Sequence, residues 1–271
     1  MAQQGQSITE LCEEILNLRK YRDLDLPAET VQDLLARELP LYKTNREAVK
    51  AVRRKLHNII APYLGDPAYE QASADLGLSF ESGDESQVRE TLHHILEQHA
   101  STRERLPHLD EFYERIFALT GVPETILDLA CGLNPLSFPW MGLPGGAAYH
   151  AYDIHLPRVK FINHYFRLQG LDELAEQRDI LVAPPLQEAD AAFLFKEAHR
   201  LEQRQRGCNI RLWDALNVRF LLVSLPAVSL TGRRNLAEKH RRLVHNTLAG
   251  KTWPVTEIQV HDEIVFCIEK E

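Results

Sequence analysis

The sequence predicts an α/β chain in which an N-terminal helical segment precedes a Rossmann-like, mostly parallel sheet that ends in an antiparallel strand. Three observations carry this. Up to about residue 120 the apolar residues recur at helical spacing. After Pro123 short β-branched or apolar runs alternate with helical stretches, the pattern of βαβ units. The C-terminal end then holds two strand-like runs in close succession. At 271 residues and 44% apolar composition, the chain can bury one large domain, or a medium α/β domain with a smaller appendage. With 26% charged residues it is neither collagenous nor disordered.

Each element has its own local reason. Thr44-Asn45-Arg46-Glu47 is a capping box, hydroxyl and carboxylate reaching for each other's orphan amides, and it opens a helix running toward Pro62. Leu109, Phe112, Tyr113, Ile116 and Phe117 fall on one helical face that Gly121 ends. Strands are expected over 125–130, 148–152, 179–182, 191–195 and 220–225, with helices between them, notably 156–169 and around Leu201. The runs 255–261 and 264–268, joined by Asp262-Glu263, suggest a closing hairpin.

Charge is unevenly spread. The net charge is −8, yet residues 42–57 carry six cations (Lys43, Arg46, Lys50, Arg53, Arg54 and Lys55) against Glu47 alone. Two further basic runs lie at 200–211 and 233–242. One such run is ordinarily a solvated helix face; three on an acidic chain point to a polyanionic partner. Cys12, Cys131, Cys208 and Cys267 are scattered without C-x-x-C spacing, so neither a disulfide framework nor a metal site is expected. No window approaches about eighteen consecutive apolar residues, and the start lacks the charge and apolar core of a signal peptide. A cytoplasmic protein without a membrane partner is expected.

The chemistry-bearing residues begin where the first strand runs into Asp128-Leu129-Ala130-Cys131-Gly132-Leu133-Asn134-Pro135, a tight turn of the kind that holds a nucleotide at the carboxyl end of a doubly wound sheet. Only Gly132 of the dinucleotide glycine pattern is present. Asp153 follows the second expected strand, placed to accept from ribose hydroxyls. Asp179 and Ile180 start the next expected strand, where they can serve an adenine amino group and ring; a plain turn residue fits Asp179 equally well.

The run D-L-A-C-G-L-N-P-L at 128–136, preceded by H-A-S-T-R-E-R-L-P at 99–107 and followed by Y-D-I-H at 152–155, resembles the aminoglycoside-resistance 16S rRNA (guanine-N7)-methyltransferase family. The likeness extends through F-L-F-K at 193–196, L-E-Q at 201–203 and S-L-T-G-R at 229–233, and covers most of the chain from about residue 43. The family's S-L-G-G-R has Thr231 here, at a position where glycine takes positive φ more cheaply.

The resemblance implies a class I S-adenosylmethionine-dependent methyltransferase domain over 106–271 and a helical domain over 1–105 that docks on the assembled 30S subunit. It further implies that Arg105 clamps the methionine carboxylate and that Tyr63, His99, Ala100 and Ser101 line the same wall. Ala130 and Gly132 would meet the cofactor from the turn, while Phe195 and Gln203 close the adenosyl pocket. Lys196 and Arg233 would hold the flipped guanine, and the cations of 42–57 with Arg234, Arg241 and Arg242 would contact rRNA. Guanine N7 carries an exposed lone pair, so no general base is expected; positioning and desolvation supply the rate. No metal and no DNA partner are implied, and the chain is expected to work as a monomer. Two other readings were open: a methyltransferase acting on another rRNA position or on a small molecule, and a catalytically dead rRNA-binding module. A small-molecule enzyme has no use for three basic runs. A dead module has no reason to keep Arg105, Gly132, Asp153 and Asp179 together.

Overall fold

The computed structural model describes residues 6–22, 24–60, 66–228 and 235–270; Tyr63, Arg233 and Arg234 lie outside the described residues. The first four helices are α1 (Ile8–Leu16), α2 (Arg19–Arg22), α3 (Ala28–Glu38) and α4 (Asn45–Ile60). A reciprocal cap starts α1: the Glu10 amide donates to Ser7 Oγ at 3.2 Å and the Ser7 amide to the Glu10 carboxylate at 2.7 Å. At the start of α4 the Glu47 amide likewise donates to Thr44 Oγ1 at 3.3 Å. Leu11, Ile15, Val31, Leu35, Val52 and Leu56 then form a core of their own.

Next come α5 (Tyr69–Glu81), α6 (Glu85–Gln98), the single turn α7 (Ala100–Arg103), a 3-10 turn at Leu106–His108 and α8 (Leu109–Thr120). These helices pack on the sheet, since Leu76, Leu92 and Leu96 share a cluster with Phe112, Ile116, Phe193 and Leu222. The expected apolar stripe of α8 is buried throughout, and Gly121 ends that helix at φ +74°.

The sheet has seven strands: β1 (Thr125–Leu129), β2 (Ala148–Asp153), β3 (Ala175–Gln177), β4 (Glu188–Phe195), β5 (Asn217–Pro226), β6 (Val255–Val260) and β7 (Glu263–Glu269). Their order is β3-β2-β1-β4-β5-β7-β6, the first five parallel and β7 antiparallel to both its neighbours. The remaining helices are α9 (Leu156–Gln169), α10 (Ala198–Arg204), α11 (Cys208–Ala215) and α12 (Ala237–Thr247). Both faces of the sheet are covered. Phe193, Phe195 and Leu222 point to the α5–α9 side, while Leu194, Leu221 and Val223 point to the side of α10–α12. Strands buried on both faces read as unbroken apolar runs, and β4 and β5 do.

Three sequence expectations are corrected. The third strand is at Ala175–Gln177, not 179–182. Asp179 forms a turn instead, its side chain accepting from the Leu181 amide and its carbonyl from those of Val182 and Ala183; of the run after it Ile180 is buried and Leu181 packs partly on the core, while Val182 is exposed. The hairpin turn is at His261-Asp262, and Glu263 already belongs to β7. The segment after the Gly132 turn is a 3-10 helix, Asn134–Trp140, because Pro135 and Pro139 cannot donate to an α-helical ladder.

Candidate cofactor and target-nucleotide site

The strand order reverses at β1, whose neighbours are β2 and β4, and ligands of open α/β sheets bind at that switch point, beyond the carboxyl ends of the strands. There the chain turns through Ala130 at φ +51° and Gly132 at φ +57°. A Cβ on Gly132 would lie 3.1 Å from His99 Cε1, so both the backbone angle and the close approach require glycine. The Gly132 amide donates to Asp153 Oδ2 at 3.2 Å, which ties the β1 turn to the end of β2.

Asp153 also accepts from the His155 amide at 2.9 Å and from Arg158 at 2.8 Å. Arg158 reaches on to Asp66, at 2.6 Å, just ahead of α5. Burial alone would raise the Asp66 carboxyl, but His155, Arg158 and the Tyr69 hydroxyl outweigh it and hold the group at about 2. Burial, reinforced by Arg158, pushes His99 down to about 4, so its imidazole is neutral where it faces the turn. Its Nδ1 lies 2.9 Å from the Ser101 hydroxyl.

Behind β1 a second buried network fixes Asn134. Its amide nitrogen donates to Asp128 at 3.0 Å, while its oxygen accepts from the Tyr113 hydroxyl at 2.8 Å and from Arg105 at 2.9 Å. Burial pushes the Asp128 carboxyl up to about 7 despite the hydrogen bonds from Asn134 and Tyr149. The Arg105 guanidinium lies over Phe112 at 4.1 Å and Phe195 at 4.7 Å and forks onto Glu263 at 2.5 and 3.2 Å. Burial would raise Glu263 as well, but Arg105 and then Lys196 bring it down to about 2. Lys196, at φ +61° past the end of β4, donates to Glu104 at 2.7 Å and to the Ser101 carbonyl at 3.2 Å, and stands 3.4 Å from Glu263. Arg105, Glu104, Lys196, Glu263 and Phe112 thus line a cavity of about 370 Å³ at the carboxyl ends of β4 and β5.

His99, Ser101, Arg105, Ala130, Gly132, Asp153, Phe195 and Lys196 are therefore gathered at one end of the sheet. Other expected site residues fall elsewhere or are already engaged. Asp179 lies beyond β3, where Arg204 grips it at 2.5 and 3.0 Å and Thr30 donates to it at 2.8 Å; its carboxylate serves the protein. Ile180 is buried in the core, and Ala100 and Gln203 are exposed. Lys43, Arg46, Lys50, Arg53 and Arg54 are exposed along α4, whereas Lys55 is paired with the buried Glu38 at 2.5 Å. Arg241 is held by Glu257 at 2.7 Å, and Arg242 stays exposed beside Glu238. Sequence reasoning missed Asp66, Glu104, Arg158 and Glu263. Arg158, in the first turn of α9 five residues past Asp153, was the one with a legible signal.

A seven-stranded sheet in this order, with an acid ending β2 and a glycine turn after β1, defines a class I methyltransferase fold. The chain matches the ribosomal RNA methyltransferase (FmrO) family model over residues 18–267, and it belongs to that family. It is 32% identical to a 16S rRNA (guanine(1405)-N(7))-methyltransferase of Frankia casuarinae, across 98% of this chain and 95% of that one. A Serratia marcescens protein of the same name is 34% identical, over 84% of each chain. Among solved structures it is similar to the 16S rRNA methyltransferase RmtF in complex with S-adenosyl-L-homocysteine, with a TM-score of 0.81 and 33% identity over 99% of this chain and all of that one.

Proposed function

We propose that this chain transfers the methyl group of S-adenosylmethionine to N7 of guanine 1405 in 16S rRNA, as the names of its relatives suggest, and that it acts as a monomer on the assembled 30S subunit. The observation that carries this reading is the charged cavity beside the Gly132 turn. A guanine entering it offers paired N1–H and N2–H donors that suit the Glu263 carboxylate, and an O6 acceptor that suits Lys196. N7 is then left without a protein partner.

S-adenosylmethionine, when bound, supplies an electrophilic methyl on its sulfonium. The residues fit such a group: Gly132 lets the backbone approach closely, and Asp153 offers a carboxylate to the ribose hydroxyls. Arg105 uses three of its five N–H donors on Glu263 and Asn134 among the described residues, leaving two for a carboxylate. Phe112 and Phe195, with their rings at right angles, pack around that guanidinium and keep it dry, and neutral His99 walls the turn. None of these residues has to take a proton from N7.

The exposed cations of α4 read phosphate positions that only the folded subunit holds in place. We take the docking unit to be α1–α4, which have their own core, with α5–α7 belonging to the sheet domain. A methyl on N7 adds a positive charge and removes an acceptor, so a polycationic aminoglycoside loses its purchase on that base. The test is tritiated S-adenosylmethionine offered with 30S subunits, 50S subunits and naked 16S rRNA, followed by mapping of the modified base. Label on N7 of that guanine, favouring 30S, is expected; label on 50S, on another base, or on none of the three rejects the proposal.

A further inference from the structure

At the outer lip of the cavity three side chains converge that the methyl transfer does not use. His108 ends the 3-10 turn before α8, Glu111 sits in the first turn of α8, and His261 occupies the β6–β7 turn. His261 Nε2 lies 2.9 Å from Glu111 Oε2. The two imidazoles stack with ring centroids 3.3 Å apart and planes 11° from parallel. One nitrogen from each ring and a Glu111 oxygen all fall within 4.8 Å of one another. An ion with bonds of about 2.0–2.1 Å holds tetrahedral donors roughly 3.4 Å apart, so the two imidazoles must turn out of their stack for the three donors to meet at one centre.

We propose that His108, Glu111 and His261 form a binding site for a divalent transition-metal ion, with zinc as the reference ion. Two imidazoles and one carboxylate are the donor set of open zinc centres, leaving a fourth position for water. The same set excludes magnesium, which takes oxygen ligands and keeps its waters. His261 is held at φ +50° by the tight β6–β7 turn. His108 and His261 approach from opposite sides of the cavity lip, so an ion there staples the hairpin turn to the start of α8. The site departs from the sequence expectation of no metal because its ligands come from two segments about 150 residues apart.

The test is an optical titration of the tag-free, full-length chain with cobalt(II), followed by competition with zinc. A ligand-field band of tetrahedral type, rising to one equivalent and abolished by zinc, is expected. It should come without the intense charge-transfer band that a thiolate ligand would add, since the four cysteines are buried away from the lip. His261→Gly removes a ligand while suiting the left-handed backbone, so it keeps the fold and lowers cobalt affinity by more than about tenfold. Glu111→Gln should lower it similarly, and zinc should raise the melting temperature of the parent chain but not of His261→Gly. An absent band, a band with thiolate charge transfer, or a band that survives intact in His261→Gly overturns the site.

Discussion

Asp153 accepts from three protein donors at once, the amides of Gly132 and His155 and the guanidinium of Arg158. Ribose hydroxyls joining that set meet a carboxylate already oriented for them. Asp153→Asn keeps the shape but puts an N–H where acceptors are needed, at a cost of about 2 kcal/mol. S-adenosylmethionine affinity should therefore fall by well over tenfold in calorimetry; an unchanged affinity would remove Asp153 from the site. Asp128 makes a prediction about pH. Its folded pKa, raised to about 7 by burial, stands above the ordinary carboxyl value of about 4. Its contribution to stability is thus full below that lower value and is lost as pH rises through about 7. Melting of Asp128→Asn against the parent between pH 5 and pH 8 should show the variant gaining by at least about 1 kcal/mol at the alkaline end, and a flat difference would contradict it. Asp128 was read only as part of the run into the β1 turn, with no role of its own, whereas Asp153 was legible because it follows an expected strand. Glu263 was not. Its partner Arg105 is 158 positions away, and a lone acid near a hairpin turn has no spacing that marks it.

The element proposed to address rRNA is α4. Its inner face, Ala48, Val52, Leu56 and Ile60, is buried, so the exposed Arg46, Lys50, Arg53 and Arg54 are presented on a braced surface. Arg53→Glu with Arg54→Glu should abolish methylation of 30S subunits while leaving cofactor affinity and melting temperature nearly unchanged, because phosphate contacts depend on charge and neither side chain supports the core. Wild-type methylation by that double variant at moderate salt would make α4 an ordinary solvated helix. The helices α4, α8 and α9 were readable to within a residue or two, since each carries its own boundary signal: the Thr44 cap before α4, the apolar stripe and Gly121 of α8, and Gly170 after α9. The third strand was misplaced for a physical reason. A three-residue pairing at a sheet edge leaves almost no pattern, whereas Ile180-Leu181-Val182 is apolar and β-branched yet lies in the turn built by Asp179.

Across the molecule, two hydrophobic cores are joined by charge. Asp66 and Arg158 link the segment after α4 to Asp153, Thr30 of α3 donates to Asp179, and Ile154 packs on the helical core from the end of β2. Asp66→Ala removes one of the two carboxylates that hold the buried Arg158, leaving Asp153, and should cost about 1–3 kcal/mol of stability while also weakening cofactor binding. A variant with parental melting and parental affinity would show that the link carries no load. None of this was visible in the chain, where the helical half and the sheet half read as separate patterns. The turn conformations carry one more consequence. Of the four non-glycine residues with positive φ among the described residues, Ala130, Lys196 and His261 border the cavity or the turn beside it. Each stores on the order of 1 kcal/mol or more that a glycine would release. A laboratory selection for heat resistance would thus be drawn toward Ala130 and His261 rather than Lys196, where a glycine relaxes the backbone but forfeits the pairs to Glu104 and Glu263 along with the cation proposed to grip the base.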